Sequence, residues 1–239
     1  MGAVEPEAAA RFAVEGRAVV GALFETPADA GLQARARVLA TMAARLGRWA
    51  PAVACAAVPA AADQAAHALR VAVLAAAIGD RLGLGEDSCA ALAFAGLVHD
   101  LGKALLPGEL GALGQRGLDE AGQALWEQHP ELSLGLIIGH GPIEALARDA
   151  IVAHHERLDG RGHPYALVGD AVPLGGRVLA VADAYDVLMR RPAAEGRRAP
   201  GAAVAVLRGP LAAGLDGAAV EALGALVEGE GVDGCPAGA

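Results

Sequence analysis

The stretch His154-His155-Glu156-Arg157-Leu158-Asp159-Gly160-Arg161-Gly162-His163-Pro164 decides how this chain is read. Two adjacent histidines lead into a loop punctuated by glycine. Crowded imidazoles are costly unless a cation organises them, and a metal ion does this by ligating the neutral ring. Upstream stands His99-Asp100-Leu101-Gly102-Lys103, and four of the chain's seven histidines fall in these two segments. That concentration points to a metal site and to hydrolytic chemistry. A histidine followed directly by an aspartate, at the end of an apolar run, offers a nitrogen and a carboxylate oxygen that suit iron, manganese or zinc. Gly102 lets the backbone approach a ligand closely. Lys103 can meet a phosphate oxygen as a point charge.

Composition bounds the rest. The chain has 239 residues, of which 54% are hydrophobic and only 3% aromatic. Alanine supplies much of the apolar fraction, favours helix and suits closely packed helices, so an all-α bundle is expected. The net charge of -9 argues against a surface for a DNA or RNA polymer, which needs a basic patch. It leaves room for a small anionic substrate, because bound cations reverse the local field. Cys55, Cys89 and Cys235 are dispersed, which makes a reducing cytoplasm the expected location. The first residues carry no signal-peptide pattern, Pro6 occupies the position a myristoylation signal needs, and no apolar stretch is long enough for a membrane span.

Periodicity and punctuation predict helices over Glu7 to Phe24, Leu32 to Trp49 and Asp63 to Leu82, the last closed by Gly83 and Gly85. Asp87 or Ser88 can cap a further helix that runs into His99-Asp100. Residues 108–117 read as a glycine-rich flap. One helix is expected from Asp119 through Trp126 and His129, one from Ile143 to Glu156, one from Val178 to Arg190, and an apolar pattern spans Val220 to Val227. His140, between two glycines, reads as a loop residue. The residues after 228 read as a frayed tail.

His67, the segment His99 to Lys103, His129-Pro130-Glu131 with Gly135, the segment His154 to Pro164, and Val181-Ala182-Asp183-Ala184-Tyr185-Asp186 occur in the order seen in HD-GYP domains. The chain therefore resembles this branch of the HD-domain metal-dependent phosphohydrolases, which cleave cyclic di-GMP. The resemblance implies an HD-type helical bundle over residues 61–228, a helical leader over 1–60 and a flexible tail over 229–239. It implies His67, His99, Asp100 and Asp183 as the core metal ligands, with His129, His154 and His155 as further ones. Asp100 would bridge two ions, and Lys103 matches the lysine that approaches the attacking hydroxide or the phosphate. Arg157, Gly162, His163 and Arg191 stand where substrate contacts are expected. Adjacent helical residues diverge by about 100°, so His154 and His155 would address two neighbouring ions.

Two or three divalent transition ions, iron or manganese, are thus the expected cofactors. A cyclic dinucleotide is the expected substrate, with a signalling protein or a second copy of the chain as the macromolecular partner. Asp63 lies one turn before His67 and reads either as a ligand to a third ion or as a helix N-cap. Two departures from the family pattern bear on substrate affinity and identity. His163 stands where the family has tyrosine, and a histidine at its ordinary value can titrate near neutral pH. Arg191-Pro192 is followed by Ala193, Ala194 and Glu195 in place of a basic run. Beside hydrolysis of cyclic di-GMP, two alternatives stand: a nucleotide-sensing or interaction domain with little turnover, and a phosphohydrolase for another cyclic dinucleotide.

Overall fold

Small side chains bring the central helices into backbone contact. In this computed structural model, which describes residues 4–49, 51–58, 63–107, 110, 117–190 and 199–229, helices α4 (Gln64–Arg81) and α5 (Glu86–Val98) form the middle of the bundle. Every residue of α4 from Ala65 to Gly79 is buried. A Cβ on Gly96 of α5 would stand 2.6 Å from Ala72 Cα, so that glycine is required by the crossing itself. α4 ends in a Schellman arrangement: Leu84 N–H donates to Gly79 O, Gly83 N–H donates to Asp80 O, and Gly83 takes φ +81°. The expected cap of α5 at Asp87 or Ser88 is corrected to Gly85. The helix starts earlier, and Glu86 and Asp87 sit in its first turn, where acidic groups favour the helix dipole.

Helices α1 (Val4–Glu25), α2 (Ala30–Trp49) and α3 (Pro51–Ala57) pack on this centre. Phe12, Val20 and Leu23 of α1 and Ala36, Leu39 and Ala43 of α2 belong to the same continuous core as α4 and α5. The leader expected over 1–60 therefore shares its core with the residues that follow. Gln33 of α2, fully buried, donates to the carbonyls of Pro27 and Leu136 and ties α2 to the far side of the bundle.

Past α5 the chain makes a 3-10 turn at Leu101–Leu105, then α6 (Glu120–Trp126) and α7 (His129–Ile138). The single helix expected through Trp126 and His129 is two helices. Asp119 caps α6 by accepting from Gly122 N–H, and Pro130, which has no N–H to donate, sits in the first turn of α7. The helix expected over Ile143 to Glu156 is α8, Ala145–Ala153. It closes when Glu156 N–H turns back to Ala153 O, which places both His154 and His155 in the exit turn. Helix α9 (Leu174–Met189) crosses α8 through Gly175 and Gly176, whose added Cβ atoms would meet Leu146 O and the Ala153 backbone. Helices α10 (Pro200–Arg208) and α11 (Gly217–Gly229) complete the order. The expected apolar pattern from Val220 to Val227 lies in α11. α10 was not expected, although Pro200 in its first turn is the usual start signal.

Among the described residues there is no strand, only one isolated bridge between Asp159 and Val168. No described helix is long and apolar enough to cross a membrane. Most of the expected flap over 108–117, Arg191, and the tail beyond Gly229 lie outside the described residues.

Candidate metal centre

The ends of α5, α7 and α8 converge with α4 and α9 on one buried cluster. Its donor atoms fall in two groups, His67, His99 and Asp183 in one and Asp100, His129, His154 and His155 in the other. Within each group the atoms lie within 4.8 Å of one another. All seven residues expected as ligands are therefore brought together. His154 and His155 join the same group, so the expectation that they address two different ions is corrected. The reason is local: His154 is the α8 cap and His155 lies beyond it, so the 100° helical divergence does not apply.

Asp100 lies between the groups. Its Oδ1 is 3.3 Å from His129 Nε2 and 3.8 Å from His154 Nε2. Its Oδ2 is 3.5 Å from His99 Nε2, 3.8 Å from His67 Nε2 and 2.6 Å from Lys103 Nζ. His67 Nε2 is in turn 3.2 Å from Asp183 Oδ1.

The local fold fixes the imidazole tautomers. His99 Nδ1 is 2.9 Å from Gly96 O, His129 Nδ1 2.7 Å from Trp126 O, and His154 Nδ1 2.7 Å from Ile151 O. A carbonyl only accepts, so each Nδ1 carries the proton and each neutral ring leaves Nε2 as a bare lone pair. Yet His129 Nε2 and His154 Nε2 stand 3.4 Å apart, with Asp100 Oδ1 beside them. Three acceptors facing one another repel unless a cation lies among them. Donors about 2.1 Å from a shared ion are separated by about 3.0–3.4 Å, close to the spacings seen here. His99 Nε2 and Asp100 Oδ1 are also buried without any hydrogen-bond partner. The residues present thus fit a metal ion in each group.

Protonation agrees with this donor set. Burial pushes the His99, His154 and His155 imidazoles down, well below the usual value for the last two, which keeps them neutral. Burial works the same way on His67, but hydrogen bonds to Asp183 and Asp186 outweigh it and bring His67 to about 8, so ligation by this ring requires loss of the Nε2 proton that faces Asp183. Burial would raise Asp100 and Asp183. The adjoining His99 ring and the Lys103 ammonium hold Asp100 well below the carboxylate range, and the His67 hydrogen bond does the same for Asp183.

Around the cluster, Lys103 lies with its Nζ 5.3 Å from the Trp126 ring centroid, between that face and Asp100. Trp126 also meets the rings of His129, His155 and His163. His163 stacks on His155 at 4.6 Å, and burial pushes it down to about 4. The expectation that His163 titrates near neutral pH is therefore corrected: it stays neutral there, as a tyrosine would. Both its ring nitrogens are buried without a partner.

Other expected contacts serve the scaffold. Arg157 Nη1 donates to the carbonyls of His154 and Glu156, which holds that side chain against the loop. Gly162 is needed because a Cβ there would stand 2.4 Å from Glu156 Cα and Arg157 N, a backbone contact within the loop rather than one to substrate. What approaches Gly102 is helix α7: a Cβ on Gly102 would clash with His129 O and Ser133 N. Asp63 is an N-cap, with Oδ1 accepting from Ala66 N–H at 2.7 Å and Oδ2 from Arg17 Nη2 at 2.8 Å. With both oxygens engaged, the third-ion reading of Asp63 has no support.

Sequence reasoning missed three residues. Glu156, 1% exposed, accepts from Tyr165 N–H at 2.7 Å and Leu167 N–H at 2.9 Å and folds the loop around itself. Ser133 donates to His99 O and accepts from Gly102 N–H, stapling α7 to the turn that carries Asp100 and Lys103. A lone serine carries no signal for such a contact. Asp186 bonds His67 Nδ1, and its only sequence signal was its place at the end of the Val181 to Asp186 motif.

The comparisons with known proteins agree with this architecture. The family described as HD domain matches residues 34–216. The cyclic di-GMP phosphodiesterase response regulator RpfG of Xanthomonas campestris pv. campestris is 34% identical over 122 residues, 50% of this chain and 32% of that protein. The 3'3'-cGAMP-specific phosphodiesterase 2 of Vibrio cholerae is 31% identical over 128 residues, 53% of this chain and 24% of that protein. A cyclic di-GMP phosphodiesterase of Thermotoga maritima is 31% identical over 53% of this chain and 34% of its own length. The chain thus spans about a third or less of these relatives. The structure of Bd1817, an HDG"Y"P protein from Bdellovibrio bacteriovorus, has a TM-score of 0.72 at 18% identity, covering 91% of this chain and 70% of that one, a likeness of fold. A family match over most of the chain, on a bundle that gathers the His99-Asp100 pair into a buried histidine and carboxylate cluster, shows that the chain belongs to the HD domain family.

Proposed function

We propose that this chain is a metal-dependent phosphodiesterase of the HD-GYP branch that hydrolyses cyclic di-GMP to the linear dinucleotide, or onward to GMP, in the cytoplasm. The observation that carries the reading is Asp100, a buried carboxylate with one oxygen toward each histidine group. In this reading His67, His99 and Asp183 hold one ion, His129, His154 and His155 hold the other, and Asp100 is shared. The mixed nitrogen and carboxylate donors suit iron or manganese. Two such ions, when bound, supply Lewis acidity to the attacking water and to the phosphate oxygens that gain charge.

The chain's own residues do the rest. The neutral imidazoles present Nε2 lone pairs because their Nδ1 protons are held by main-chain carbonyls. Lys103, its side chain 14% exposed, is the charged group at the edge of the cluster. Its ammonium can exchange Asp100 Oδ2 for an incoming phosphate oxygen and stabilise the charge that develops there. Burial of the carboxylates and imidazoles keeps bulk water from screening that charge.

The substrate rests on the relatives' names, which include cyclic di-GMP and 3'3'-cGAMP phosphodiesterases at similar identity. A cyclic GMP-AMP substrate is therefore a second reading, favoured by the 3'3'-cGAMP-specific phosphodiesterases among the relatives. The test is turnover of cyclic di-GMP and 3'3'-cGAMP by anaerobically purified protein loaded with iron or manganese, with metal content measured alongside. We expect two ions per chain and cleavage of cyclic di-GMP. Asp100→Ala is expected to lose most of the metal and the activity. Full metal content and full activity in Asp100→Ala would overturn the site. Tight dinucleotide binding without cleavage by fully loaded protein would make the domain a sensor.

A further inference from the structure

The two groups differ in how their histidines are held. His99, His129 and His154 each give the Nδ1 proton to a carbonyl three residues back in the chain. Those acceptors are neutral and come with the helix end itself. His67 is different, because its Nδ1 is 2.7 Å from Asp186 Oδ2, on another helix and 119 residues away in sequence. Asp186 is 2% exposed. Arg70 grips its other oxygen, with Nε 2.5 Å from Oδ1. Arg190 Nε lies 2.9 Å from Oδ2, an ion pair without hydrogen-bond geometry. Arg70 lies on α4 with His67, and Arg190 closes α9, so the carboxylate is clamped between the two helices that also carry His67 and Asp183.

We infer that Asp186 is a positioning residue that makes the His67, His99 and Asp183 group the carboxylate-supported ion site, distinct from the other group. The inference rests on the two-ion reading above. Once an ion takes the place of the Nε2 proton, an anionic acceptor keeps the remaining proton on Nδ1 and increases the electron donation of Nε2, as in carboxylate–histidine–metal triads. The Arg70 contact orients the carboxylate, so Oδ2 cannot swing away from the imidazole. Asp186 itself is absent from both groups of donor atoms and so acts through His67 alone. Nothing comparable backs His129 or His154. Loss of the Asp186 charge should therefore weaken one ion and spare the other.

The experiment is a titration of the full chain, stripped of metal, with Mn(II) alone, in wild type and Asp186→Asn. Asparagine keeps an oxygen for the hydrogen bond and removes the charge. The expected result is two binding events in wild type, with one weakened roughly 10–100-fold in the variant, the usual scale for losing such a partner, and the other unchanged. Asp186→Glu, which keeps the charge, should recover part of the loss. A purely structural role would weaken both events together or neither, and either outcome overturns the inference while leaving the two-ion reading intact. Fewer than two events in wild type overturns both. If Asp186→Asn does not fold, nitrogen NMR of the wild-type Zn(II) form decides: a proton on His67 Nδ1 supports the inference, and a bare Nδ1 overturns it.

Discussion

Lys103 holds the one ammonium at the cluster, and its contacts set what its loss should do. Its side chain touches Asp100 Oδ2 and faces Trp126. Lys103→Ala should leave folding and metal content nearly unchanged and slow turnover by about a hundredfold, the scale of removing one electrostatic stabiliser. Single-turnover rates at saturating metal measure this, and normal catalysis in the loaded variant would refute it. His163 leads to a different expectation. A histidine at its ordinary value changes charge near pH 6.5, but here burial among Trp126, His129 and His155 holds it at about 4. A cation in the adjacent group would push it lower still. Wild type and His163→Tyr should therefore show the same pH profile for hydrolysis between about pH 6 and 8. A wild-type step near pH 6.5 that tyrosine abolishes would show that the ring is less enclosed than its contacts indicate.

The loop between α8 and α9 is organised from inside by a carboxylate. Glu156 receives two backbone donors, and the bond from Leu158 N–H to Gly214 O fastens the loop to the chain ahead of α11. Replacing Glu156 by glutamine keeps its size but leaves one acceptor oxygen for two N–H groups and turns an NH2 toward a donor. The expected cost is about 1–3 kcal/mol, the penalty of an unsatisfied buried group. Amide exchange at Tyr165 and Leu167 should accelerate before that of α4 and α5, and unchanged protection there would contradict the assignment. The helix boundaries show what local patterns carry. α4 was legible in its alanine and valine run and in Gly83, because both its periodicity and its stop are written within a few residues. The split between α6 and α7 was written in Pro130 but overridden by the apolar pattern across it. The early end of α8 had no local signal, since it depends on Glu156 being drawn into the loop.

Across the whole bundle, α1 and α2 share the core that supports the cluster. Phe12 is fully buried in it, so Phe12→Ala should cost about 3–5 kcal/mol within a single unfolding transition. Denaturant unfolding followed by two probes tests this, and a separate early transition for α1 would make the leader an independent unit. Metal should act on the whole fold as well. Asp100 and Asp183 are buried carboxylates among imidazoles, and an ion that binds only the folded chain stabilises it by mass action. At a hundredfold excess over its dissociation constant, that is about 2.7 kcal/mol per ion. A chelator should lower the melting temperature accordingly, and identical melting with and without saturating Mn(II) would argue against ion binding in the folded state.

The seven cluster residues could be named through the resemblance to HD-GYP domains, because donor chemistry restricts which residues serve and short motifs preserve their order. The all-α class was legible for a similar reason: alanine content and helix punctuation act locally. The division of the donors around Asp100 followed from the resemblance, but the placing of His154 and His155 in one group was not legible. It depends on how α4, α5, α7, α8 and α9 converge, and in particular on the exit turn that sends His154 and His155 to the same side. The roles of Asp186, Glu156 and Ser133 were hidden for the same reason. A carboxylate or hydroxyl acquires its function from the partner that folding brings to it, and Asp186 meets its partner 119 residues away. Burial decided the last difference, because the protonation of His163 is set by the rings packed around it and not by the residue type at that position.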